Sequence, residues 1–207
     1  VQQTHLLALA DAVLQLGDVD SAGVHDLEAL LRSCGSELKV VVMHYESEFL
    51  VVTMLARRVD STVQAAFEEA VVAAAGTDAA EHLSRAWVSA YGLNPHPDQA
   101  YLEAVKAVEV ALGPLVAPSN NRRTLGSTIR DLLNQQGKWE LVFVDAAGQP
   151  ADPKPLVDLL NVIWHGHARH GGAANSRVHS QEEAESVVHL AATVVQWVKL
   201  GALHRVP

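Results

Sequence analysis

Apolar residues recur at helical spacing along most of the chain, and this spacing predicts most of its elements. From Thr4 to Leu16, the residues Leu6, Leu7, Ala10, Val13 and Leu14 predict a helix closed by Gly17-Asp-Val-Asp20. Ser21 can cap a second helix, with Leu27, Leu30 and Leu31 on one face and an end near Gly35. Over residues 38–54 the pattern changes. Val40 to Val42 and Val51 to Thr53 are β-branched runs on either side of a polar His44-Tyr-Glu-Ser-Glu48 stretch. A small β-hairpin is expected there, with one continuous helix as the rival.

Asp60-Ser-Thr opens the next helix, which carries Val63, Ala66, Phe67, Ala70, Val71 and Ala74 and breaks at Gly76-Thr-Asp78. Ala79 to Tyr91 follows with Leu83, Trp87 and Ala90 inward, and the two prolines of Gly92 to Pro97 make a connector. Asp98 to Leu115 is strongly amphipathic through Tyr101, Leu102, Val105, Val108 and Leu112. Glu109 falls near that stripe, at a boundary position expected to reach solvent or an arginine. Thr124 or Ser127 caps a helix through Leu133, residues 139–144 (WELVFV) read as a short strand, and Ala146 to Pro155 reads as a loop. Helices are expected at about 155–168 and 181–200, the last opened by Ser180-Gln-Glu-Glu183, with a turn from Gly171 to Arg177 between them. Trp87, Trp139, Trp164 and Trp197 are assigned to helix faces and core packing. The expected fold is mainly α: a helical bundle over residues 78–207, with a small N-terminal α+β part over 1–75 that contains the hairpin.

Composition narrows the function classes. With 49% hydrophobic and 19% charged residues among 207, the chain can bury a real core. No apolar run reaches membrane-span length, and VQQTHLLALADAV lacks the basic region and cleavage site of a secretory leader, so a cytoplasmic protein without a membrane is expected. The missing initiator Met leaves room for an upstream segment. The single cysteine, Cys34, excludes an internal disulfide and fits a reducing compartment. A net charge of -9 argues against non-specific coating of nucleic acid but leaves room for a local basic groove. Arg122 and Arg123 could touch phosphate, although a solvated loop is the plainer reading.

Chemistry concentrates in Leu160 to Val178, LNVIWHGHARHGGAANSRV, where His165, His167 and His170 fall within six positions ahead of Gly171 and Gly172. RNA cleavage through its own 2′-hydroxyl needs a base, an acid and positive charge against the phosphorane. A histidine near neutral pH supplies the first two and a guanidinium the third. A metal site is the second reading. On a helix, however, residues 165 and 167 point about 200° apart and residues 165 and 170 about 140° apart, so no metal and no cofactor is expected. The third reading is a polar interhelical turn with histidine caps.

The stretch WHGHARHGGAANSRVHSQEEAESVVHLAATVVQWV resembles the C-terminal segment of abortive-infection proteins and related HEPN-like helical domains. HLSRAWVSAYGLNPHPDQAYLEAVKAVEVAL and NNRRTLGSTIRDLL are similar to upstream blocks of such bacterial proteins, and the likeness covers about residues 80–200. The resemblance implies a dimeric helical bundle that cleaves RNA without metal in phage defence. Arg169 and His170 would be its catalytic pair, with Arg177, Asn175, His165 and His167 around the substrate. The family places four to six residues between its arginine and its histidine, whereas Arg169 adjoins His170. Adjacent residues on a helix point about 100° apart, so the two meet on one phosphate only past the helix end or with a second subunit. The alternative is a non-catalytic dimerisation or protein-interaction module.

Overall fold

The computed structural model describes residues 2–17, 19–45, 50–135, 137–166 and 178–206. The chain runs α1 (Gln2–Leu16), α2 (Ser21–Ser33), β1 (Leu38–Tyr45), β2 (Leu50–Arg57), α3 (Ser61–Ala73), α4 (Asp78–Tyr91), α5 (Pro97–Val116) and α6 (Leu125–Asn134). It continues through β3 (Trp139–Val144), β4 (Pro150–Ala151), α7 (Lys154–Gly166), α8 (Gln181–Lys199) and β5 (Leu203–Arg205). The protein is mainly helical, with an N-terminal β-hairpin (β1–β2) and a small C-terminal sheet in the order β4-β3-β5.

Helix α5 is the axis of the bundle, and α4, α6 and α8 pack on it. Its Ala100, Ala104, Ala107, Val108 and Leu112 share one helical face and are fully buried. The alanines let α4 and α8 approach closely, so Leu83 and Ala90 from one and Val188, Ala191 and Val195 from the other join a single core. Full burial of each Leu or Val in that core contributes about 1.5–3 kcal/mol relative to exposure. Phe67 of α3 enters the same core by stacking on Trp87, with ring centroids 4.2 Å apart.

The hairpin is antiparallel, with Val40 opposite Leu55 and Val42 opposite Thr53. Its Leu55 forms a second cluster with Leu14 of α1 and Leu31 of α2. Asp11 fixes how α1 sits on this cluster: its buried carboxylate accepts the Leu55 N–H at 2.7 Å. At the other end of the chain, α8 stops where Gly201 takes φ 69°, a conformation costly for any residue with a Cβ. The Ala202 N–H then bonds the Trp197 carbonyl at 2.8 Å and the Gly201 N–H bonds Val198. This closure turns the chain into β5, which pairs Leu203 with Leu141 and Arg205 with Trp139.

Several expectations are revised. Asp20, not Ser21, caps α2, because its carboxylate reaches the Gly23 N–H at 2.8 Å while Ser21 is already helical. The stretch read as a loop after β3 contains β4, held by the Asp145 side chain accepting from the backbone of Ala147 and Gln149. Trp139 lies on β3 rather than on a helix face, although it is buried. Glu109 is partly exposed, as a boundary position should be, and its carboxylate accepts the Leu125 N–H at 2.6 Å and so secures the start of α6.

Candidate functional site at the corner between α7 and α8

The corner is built from residues that flank the histidine-rich segment. Helix α7 buries Leu156, Val157, Leu160 and Ile163 on one face and carries His165 exposed at its last turn. The His165 Nδ1–H donates to the Asn161 carbonyl four residues back at 2.8 Å, which leaves Nε2 as the atom able to reach a ligand. Trp164 lies against Gly126 of α6, where a Cβ would come within 2.4 Å of the indole. Only glycine permits that approach, and it fixes the end of α7 against the start of α6. On the far side of the corner, Ser180 and Glu183 form a reciprocal capping box that opens α8.

His179 joins the two sides. The residue is 3% exposed, and its ring stacks on Tyr101 of α5, with centroids 4.0 Å apart and planes at 23°. Nδ1 meets the Asp98 carboxylate at 2.6 Å, and Nε2 meets the Gly166 carbonyl at 2.8 Å. The His179 backbone N–H also donates to Asp98 at 2.9 Å. A carboxylate and a carbonyl both accept, so each ring nitrogen faces an acceptor. That backbone bond and the ring bond hold the Asp98 carboxyl below the usual carboxylate range. Tyr101 adds a bond from its hydroxyl to the Ile163 carbonyl at 3.0 Å. The last turn of α7, the first turn of α5 and the approach to α8 are thus tied at one point.

Of the residues assigned to the site from sequence, His165 stands on α7 as described. His167, Arg169, His170, Asn175 and Arg177 lie outside the described residues. The described residues hold two further polar clusters. In the first, Glu103 of α5 is 3% exposed, and its carboxylate meets His82 at 2.6 Å, Lys106 at 2.9 Å and Gln99 at 3.0 Å. Burial alone would raise its carboxyl, but the bonds from His82 and Lys106 and the nearby charge bring it down to about 2. In the second, the Tyr91 hydroxyl lies 2.7 Å from Nε2 of His189. Burial and then Glu185 push Tyr91 up to about 12, and burial lowers His189. The phenol therefore donates to a neutral imidazole. Arg57 lies over the Tyr91 ring and pairs with Glu185, which spends its charge within the protein. Both clusters read as satisfied internal networks.

Two concavities lie elsewhere among the described residues. One of about 730 Å³ lies between β1 and helices α3 and α4, with Met43, Phe67, Val71 and Trp87 in its walls; its charged lining residues are Glu68, Asp78 and Glu81. Such a lining repels phosphate. The other, about 620 Å³, has Arg123 and Lys199 beside Asp78 and Glu109. Arg123 is committed there to the carbonyls of Ala117 and Pro118, both at 3.3 Å. Among the described residues no helix is long and apolar enough to cross a membrane. No family model, no curated protein and no solved structure matches the chain.

Proposed function

We propose that the chain is an HEPN-like protein of the abortive-infection type that cleaves RNA without a metal, acting in bacterial phage defence in the cytoplasm. In this reading Arg169 grips the scissile phosphate and His170 exchanges protons. Arg177, Asn175, His165 and His167 hold the substrate. The 2′-hydroxyl gives its proton to a base and its oxygen attacks phosphorus. The 5′-oxygen leaves with a proton from an acid, giving a 2′,3′-cyclic phosphate and a 5′-hydroxyl. The guanidinium stabilises the charge that builds on the phosphorane.

One observation supports placing this chemistry at the α7–α8 corner. His179 ties the Gly166 carbonyl to Asp98, so the described residues on either side of positions 167–177 meet at a single braced point. The test is incubation of the protein with total RNA, with and without EDTA, beside His170→Ala and Arg169→Ala. Cleavage that survives the chelator and falls by about 10²-fold or more in both variants is expected. Cleavage abolished by EDTA would overturn the metal-free mechanism. An inert wild-type protein would favour the second reading, a non-catalytic dimerisation or interaction module. A separate observation speaks for that module: apolar side chains of α1 stand exposed in a row.

A further inference from the structure

We infer that the outer face of α1 is a pairing surface for α1 of a second copy of this chain, the two helices antiparallel about a two-fold axis. Leu6 is 66% exposed, Leu9 61%, Val13 51% and Leu16 89%. Their spacing is three, four and three residues, which lines them up as a single a/d stripe. The opposite face of the same helix is already spent. Leu14 is buried against Leu31 and Leu55, Leu7 and Ala10 pack on that cluster, and Asp11 is bonded to Leu55. The Asp11 bond fixes the rotation of α1, so the stripe points away from the protein's own core.

The composition of α1 argues against a solvent-facing helix. QQTHLLALADAVLQL holds no Lys, Arg or Glu, and its one acid is the inward Asp11. A helix that is apolar on two faces buries both in a stable state. The occupant follows from the symmetry of the stripe. Turned antiparallel about the level of residue 11, Leu6 meets Leu16 of the copy and Leu9 meets its Val13, so the surface complements itself. No like charges face each other across that axis, and the helix dipoles oppose favourably. The helix is about 22 Å long at 1.5 Å per residue. Side-by-side pairing buries roughly 500 Å² on each copy, reaching the lower bound of about 1,000 Å² for a specific interface. This surface lies on α1 and does not depend on the reading of residues 167–177.

Sedimentation equilibrium on the full chain from about 1 to 100 μM tests the pairing. The wild type is expected at twice the 22.2 kDa chain mass at the upper end, dissociating on dilution. Leu9→Glu alone and Val13→Lys alone are each expected to be monomeric, because each sets charge against an apolar side chain at both symmetric contacts. Mixed in equal amounts, the two variants regain the dimer mass, since Glu at one position then meets Lys across the axis while Val13 meets Leu9. Circular dichroism melts of both variants should match wild type, because the substituted side chains are exposed; this separates lost pairing from lost folding. A monomeric wild type across the range overturns the inference. So does a dimer that Leu9→Glu leaves intact, a mixture that stays monomeric, or a monomer that binds anionic vesicles through the stripe.

Discussion

His179→Ala is the most informative single perturbation of the bundle. The substitution deletes the bond to Asp98, the bond to the Gly166 carbonyl and the stack on Tyr101. A hydrogen bond to a charged group is worth about 1.5–3 kcal/mol and a neutral one about 0.5–1.5. An aromatic pair adds about 0.5–1.5 kcal/mol. The Asp98 side chain is 57% exposed and rehydrates once released, which puts its share at the low end. The sum is about 3–4 kcal/mol. For a domain of this size 1 kcal/mol moves Tm by about 2–4 °C, so the melting temperature should drop by roughly 6–16 °C. The assay is urea and thermal unfolding by circular dichroism, with His165→Ala beside it as the control. His165 makes one bond on an exposed last turn, and its loss should cost less than about 1 kcal/mol. If His179→Ala melts within about 2 °C of wild type, or if the two variants cannot be told apart, the corner is not braced as described.

Two further predictions concern the bundle. Glu103 titrates near 2 when folded and near ~4.3 when unfolded, so its ionised network contributes fully above about pH 5 and loses that contribution as pH falls toward 2. The shift corresponds to about 3 kcal/mol, and wild type should lose about that much more stability than Glu103→Gln between pH 5 and pH 2; parallel pH profiles would contradict the network. Gly126→Ala puts a methyl against the Trp164 indole and should cost about 1–3 kcal/mol in urea unfolding with a change in Trp fluorescence, whereas a neutral substitution would mean that α6 and α7 do not meet there.

The long-range ties were the part that sequence reading could not reach. Periodicity placed the helices well because each turn of α5 or α8 repeats the demand for an apolar face. It placed β1 and β2 through their valine runs. It missed β5, since three residues show no period and Leu203 to Arg205 become a strand only through pairing with β3. In the corner, local spacing singles out His165, His167 and His170, while the histidine that braces the fold is His179. Its partner Asp98 is 81 residues away, and no local spacing reports such a contact. Its position just ahead of the Ser180 capping box was the available hint. Glu103 could have been flagged, because it falls on the Ala100, Ala104, Ala107 stripe and a carboxylate there must be paired.

The nature of the RNA ends tests the proposed chemistry most directly. Fragments made in the presence of EDTA should carry a 2′,3′-cyclic phosphate on one end and a 5′-hydroxyl on the other, and Arg169→Ala and His170→Ala should make neither while melting like wild type. Fragments with 3′-hydroxyl and 5′-phosphate ends, or ends unchanged by either substitution, would contradict it.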